Sequence, residues 1–204
     1  MHDNHHVFSV DAQPICDTDL APRMTGRTWR ADAPIRLEAL TLLRLNHIDF
    51  TGRSKQGEII IHTAIQDRVV EVFRTLFVRR FPIDQLRLMH HYEGDDDAAM
   101  ADNNSSGFNA RPVTGAVSGW SKHSYGIAID INPLINPYCV DGQTFPAAGV
   151  AYADREVDTL GLIRRDGPCY QAFKKQGFVW GGDWSTVKDY HHFELPLSCI
   201  GLSP

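Results

Sequence analysis

Between Thr63 and Phe81 the chain carries its one long amphipathic pattern. Ile65, Val69, Val72, Phe73, Leu76 and Phe77 recur at three- and four-residue steps, which predicts a helix with one apolar face. Pro82 ends it. Everything around this helix is shorter. Glu58–His62 and Gly126–Ile131 read as strands, and so do Leu86–Tyr92, Phe178–Trp180 and His191–Leu195. Pro168–Gln176, closed by Gly177, and Glu156–Leu162 read as short helices. Arg36–Leu45 carries a short helical spacing through Leu37, Leu40 and Leu43. Residues 132–154, rich in Pro, Gly and Asn, read as a long loop. Strands and helices alternate without a βαβ rhythm. The expected class is therefore α+β, a small, mostly antiparallel sheet with helices packed on it.

The chain has 204 residues, which favours one principal domain over two. Residues 1–34, with Pro14, Pro22, Pro34 and Gly26, read as an irregular N-terminal arm, and residues 35–204 as the folded domain. Lys plus Arg is 20 and Asp plus Glu is 25, a net charge of −5. That balance argues against nucleic acid as a partner. No apolar run is long enough to cross a bilayer. The start is polar and rich in His2, His5 and His6, and lacks the apolar stretch of a secretory signal. Either the protein stays inside the cell or this is a mature form.

Four cysteines bear on that choice. None form a close pair suited to a zinc knuckle. An even, widely spaced set fits two disulfides in an oxidising compartment. The pairing expected is Cys139 with Cys169, around one loop excursion, and Cys16 with Cys199, tying the ends together. Gly94-Asp95-Asp96-Asp97 lacks the spaced ligands of a calcium loop and reads as a solvated loop.

Two clusters can carry chemistry. In Ser121-Lys122-His123-Ser124-Tyr125-Gly126-Ile127-Ala128-Ile129-Asp130, an aspartate interrupts an apolar strand. An ionised carboxylate there is costly unless it is paired or binds a metal. In Asp189-Tyr190-His191-His192-Phe193-Glu194, two imidazoles and two carboxylates fall within six residues. Together the clusters offer His, Asp and His, the three protein ligands of a catalytic zinc site, with a carboxylate left over.

These motifs, with Trp180-Gly181-Gly182-Asp183-Trp184 and Ser106-Gly107-Phe108-Asn109-Ala110-Arg111, resemble the VanY-type D-Ala-D-Ala carboxypeptidase and L-Ala-D-Glu endopeptidase family. The resemblance spans about residues 35–195. It implies the hedgehog/DD-peptidase fold and a zinc peptidase of bacterial peptidoglycan peptides, acting in the cell wall or periplasm or as a phage endolysin. By the family pattern, His123, Asp130 and His192 are the zinc ligands and Asp189 the catalytic carboxylate. Some relatives carry Glu in that place, so Asp points to the endopeptidase-like branch. Arg111 would face the substrate carbonyl or carboxylate. Ser121, Tyr125, Trp180 and Trp184 would stand along the peptide groove, and Glu194 would partner the other ring nitrogen of His192. His191 is a rival ligand. In a regular strand only one of two adjacent histidines can reach the metal, and the family register selects His192. The expected cofactor is one Zn²⁺, the partner a muropeptide, and the protein a monomer. The alternative is a zinc-bearing binding module of the same fold that has lost catalysis.

Overall fold

The computed structural model describes residues 7–113 and 119–203, and the histidines at positions 2, 5 and 6 lie outside them. Its elements in chain order are β1 (Val10–Pro14), α1 (Leu20–Met24), β2 (Leu40–Ile48), β3 (Ser54–His62), α2 (Gln66–Val78), β4 (Gln85–Leu86), α3 (Asp96–Ala101), β5 (Asn104–Ser105), β6 (Ala128–Asp130), β7 (Tyr138–Val140), β8 (Gln143–Phe145), α4 (Pro168–Lys175), β9 (Val179–Trp180), β10 (Lys188–Asp189) and β11 (His192–Glu194). The architecture is α+β, as the lack of a βαβ rhythm in the sequence predicts. Apart from a short parallel β4–β5 pair, the strands form three antiparallel sheets, ordered β1-β2-β3, β6-β11-β9 and β10-β7-β8.

The helical spacing at Arg36–Leu45 belongs to a strand. In β2, Leu40, Leu42, Leu43 and Leu45 are all buried. Leu43 and Leu45, with Ile59 and Ile61 of β3, pack with the α2 residues Val69, Val72, Phe73 and Leu76. Leu40 and Leu42, with Ile60, face a second cluster containing Ile15, Leu20 and Met24. A strand covered on both faces loses its alternation and mimics a buried helix in sequence. The same contacts overturn the irregular arm. The N-terminal segment pairs β1 along β2 and covers the second face of the sheet.

Three further expectations change. Of Leu86–Tyr92, Leu86 alone is strand, in β4, and Met89–Tyr92 is a 3-10 turn. The 132–154 loop contains the β7–β8 hairpin. Residues 156–162 form turns and bends held by Arg155, whose guanidinium donates to the carbonyls of Ile135, Tyr152 and Ile163 and to Asn136 Oδ1.

No disulfide joins the cysteines. All four thiols are free, Cys16 exposed, Cys139 and Cys199 partly buried and Cys169 buried. Cys169 sits on α4 inside the core, where the burial that holds it also pushes its thiol pKa well up. Cys139 lies on β7, near Thr144 of the neighbouring strand and the carbonyl of Pro137.

Candidate metal centre and its cleft

Cross-strand register builds the site. In the β6-β11-β9 sheet, His192 stands directly opposite Asp130. The third member, His123, arrives from a 3-10 turn over Lys122–Tyr125, which Ser121 caps by accepting the His123 amide on its hydroxyl. Asp130 is also bridged on its other side, where it exchanges backbone hydrogen bonds with Ser106 of 3.0 and 2.9 Å. Residue 107 must be glycine, because a Cβ there would lie 2.4 Å from the Ile60 carbonyl oxygen. That close approach places the Gly107 carbonyl 2.6 Å from His123 Nδ1. A carbonyl only accepts, so Nδ1 carries the hydrogen and Nε2 presents its lone pair to the centre.

One donor atom from each of His123, Asp130 and His192 lies within 4.8 Å of the others, and all three residues are buried. His123 Nε2 is 3.0 Å from Asp130 Oδ2 and 3.2 Å from His192 Nδ1, and His192 Nδ1 is 2.9 Å from Asp130 Oδ1. Donors of a tetrahedral zinc site, each ~2.0–2.1 Å from the ion, stand roughly 3.3 Å apart. Two imidazoles and a carboxylate at this spacing suit zinc in chemistry as well as in geometry. His192 Nε2 lies 3.1 Å from Glu194 Oε2, so a carboxylate orients its ring from outside, as metal-binding histidines require.

Charge is concentrated here. Burial alone would push the Asp130 carboxyl pKa up. The imidazoles of His123, His191 and His192 outweigh it and hold Asp130 well below the usual range. Burial likewise works against a charged His192, but Asp130 and Glu194 raise it to about 10. His191 is raised to about 9, with Asp189 and Asp130 overcoming its burial.

The three residues open onto a cavity of about 370 Å³ that Asp189, Arg111, Ser121, Trp184, His191 and Glu194 also line. Asp189 sits on β10, and Gly181 packs against it so closely that a Cβ at 181 would fall 2.8 Å from the Asp189 Cβ. This is the physical content of the Trp-Gly-Gly-Asp-Trp motif. His191 precedes the first residue of β11, so strict alternation does not separate it from His192. Both are buried. His191 lies outside the trio that could hold a metal, with Nε2 2.9 Å from Asp189 Oδ1 and 3.9 Å from Asp130 Oδ2, and Nδ1 2.8 Å from the Asn136 carbonyl. Trp184 has its ring 5.6 Å from that of His192.

Two of the expected groove residues stand elsewhere. Tyr125 packs between the two cores, and Trp180 is buried, donating its indole N–H to the Tyr190 carbonyl; neither lines the cavity. In their place are Trp120, Tyr138, Phe145, Met100 and Asp96. Asp96 comes from the acidic run expected to be solvated. Asp95 instead caps α3, accepting from the Ala98 amide, and Asp96 turns inward to meet Arg111 at 2.8 Å. An acidic residue followed three positions later by a small apolar run is a helix-start signal, and it was present in Asp95-Asp96-Asp97-Ala98-Ala99.

A family model described as D-alanyl-D-alanine carboxypeptidase matches residues 114–195. That stretch contains His123, Asp130, Asp189 and His192, and Arg111 lies just before it. In this segment, with its convergent His-Asp-His trio, the chain is similar to the D-alanyl-D-alanine carboxypeptidase family.

Proposed function

We propose that the protein is a zinc-dependent peptidase that hydrolyses peptide bonds in the stem peptides of bacterial peptidoglycan, as a D,D-carboxypeptidase or an L-Ala-D-Glu-type endopeptidase. The observation that carries this reading is the convergence of the His123, Asp130 and His192 donor atoms on a cavity that Asp189 and Arg111 also line. Zinc, when bound by these three residues, supplies Lewis acidity toward a carbonyl oxygen and toward water. Asp189 serves as the general base and acid: its carboxylate takes the proton of the attacking water and returns it to the leaving amine. The Arg111 guanidinium faces the negative charge that develops on the scissile carbonyl, or the carboxylate that follows it. Glu194 and the Gly107 carbonyl keep the two imidazoles in their binding tautomers.

A module that only binds zinc would have no use for Asp189 in the same cavity. A substrate in the cell wall supports action outside the cytoplasm, and among the described residues no helix is long and apolar enough to cross a membrane. The test is incubation of the purified protein with defined muropeptides, with and without zinc, read by mass spectrometry. Zinc-dependent appearance of one cleavage product supports the reading and names the bond. Intact muropeptides beside a fully zinc-loaded protein would point to the binding module.

A further inference from the structure

Arg111 is anchored at both ends. Its backbone is tied to the turn that carries His123: the Arg111 amide donates to Ser124 Oγ, while its carbonyl accepts from Ser124 Oγ at 2.8 Å and from the Ser121 amide at 3.1 Å. Its side chain reaches the opposite cavity wall, where Nη2 meets Asp96 Oδ2 at 2.8 Å. Both side chains are only 22% exposed, so this is no solvent-screened surface pair. Arginine side chains have many rotamers, and a partly desolvated carboxylate fixes the guanidinium plane as well as its position. The carboxylate is itself held, because Asp95 caps the helix on which Asp96 sits and Asn109, two residues before Arg111, donates to the Gly94 carbonyl.

We propose that Asp96 is a positioning residue: it holds the Arg111 guanidinium in place across the cavity before substrate arrives. The proposal rests on the role given to Arg111 above. A guanidinium that must reorganise during the reaction stabilises charge less well than one already in place.

Two measurements test it. The first needs no turnover. In the zinc-loaded protein labelled with ¹⁵N-arginine, an exchange-protected side-chain Nη–H resonance, assigned by its loss in Arg111→Lys, should vanish in Asp96→Asn and persist in Asp96→Glu. The second is kinetic. Asp96→Asn should lower kcat by about tenfold with KM little changed and zinc content unaltered, as expected for a misplaced rather than missing group. In an Arg111→Lys background the same change should have almost no further effect, since coupled residues are non-additive. Survival of the resonance in Asp96→Asn, or fully additive losses, would overturn the proposal. Should Asp96→Asn fail to fold, Asp96→Ser is read by the same resonance. Wild-type protein that shows the Asp96-dependent resonance but cleaves no muropeptide would remove the peptidase reading and leave the hold on Arg111 intact.

Discussion

Asp130 and His192 are direct partners across two antiparallel strands, with Oδ1 of one 2.9 Å from Nδ1 of the other. The pairing register of the sheet thus sets the spacing of two of the three donors, and a one-residue slip would turn every side chain of β11 to the opposite face.

Ligand and base should separate by metal content. His123→Ala, Asp130→Ala and His192→Ala are each expected to lose zinc. Asp189→Ala should retain close to one zinc per chain while hydrolysis falls by about 10²–10⁴-fold. Elemental analysis beside muropeptide turnover decides it, and equal zinc loss in all four variants would refute the division of roles.

Metal uptake should depend on pH in a fixed direction. As a ligand, His192 would bind through a neutral Nδ1, yet in the metal-free protein its pKa is raised to about 10. A raised value means that the proton is held at neutral pH and must be expelled by the metal. Affinity should therefore climb as pH rises toward that value and weaken on acidification. Calorimetry at pH 7 in buffers of different ionisation enthalpy should show net proton release. Buffer-independent heats would contradict the assignment.

The β10-β7-β8 register places Asp189, Tyr138 and Phe145 in one row across three strands, and all three line the cavity. Tyr138→Ala or Phe145→Ala should raise KM by about tenfold, the usual scale for losing a buried aromatic contact, and leave kcat within a few-fold. A drop confined to kcat would mean that the hairpin supports Asp189 and does not touch substrate.

Beneath the site, Phe193 stacks on Phe173 with centroids 3.9 Å apart and planes at 8°. Both are fully buried. Phe193→Ala is expected to cost about 3–5 kcal/mol in the zinc-free protein, the range for deleting a core aromatic. Urea denaturation measures it, and a loss under about 1 kcal/mol would mean that the cavity collapses freely.

The long helix, the strand ending at Asp130 and the convergence of His123, Asp130 and His192 were legible because each rests on local pattern or on motif spacing. What escaped was set by contacts distant in sequence. Leu40–Leu45 looked helical because its covering layer, Ile15 to Met24, could not be seen from the strand itself. Asp96 looked solvated because its partner Arg111 lies fifteen residues on, across a turn. The disulfide expectation came from counting, and counting carries no geometry. The β7–β8 hairpin does carry a local signal. Asp141 and Gly142 both take left-handed conformations, with φ of 50° and 76°, and Asp-Gly between β-rich residues is a strong hairpin signal.

The N-terminal segment also shields the chain from its own kind. Stripping away Val10–Met24 would lay bare a row of unpaired amides and carbonyls along β2, flanked by Leu40, Leu42 and Ile60. Such an edge is a template for joining one molecule to the next, so a clipped form would be lost to self-association even with its catalytic groups intact.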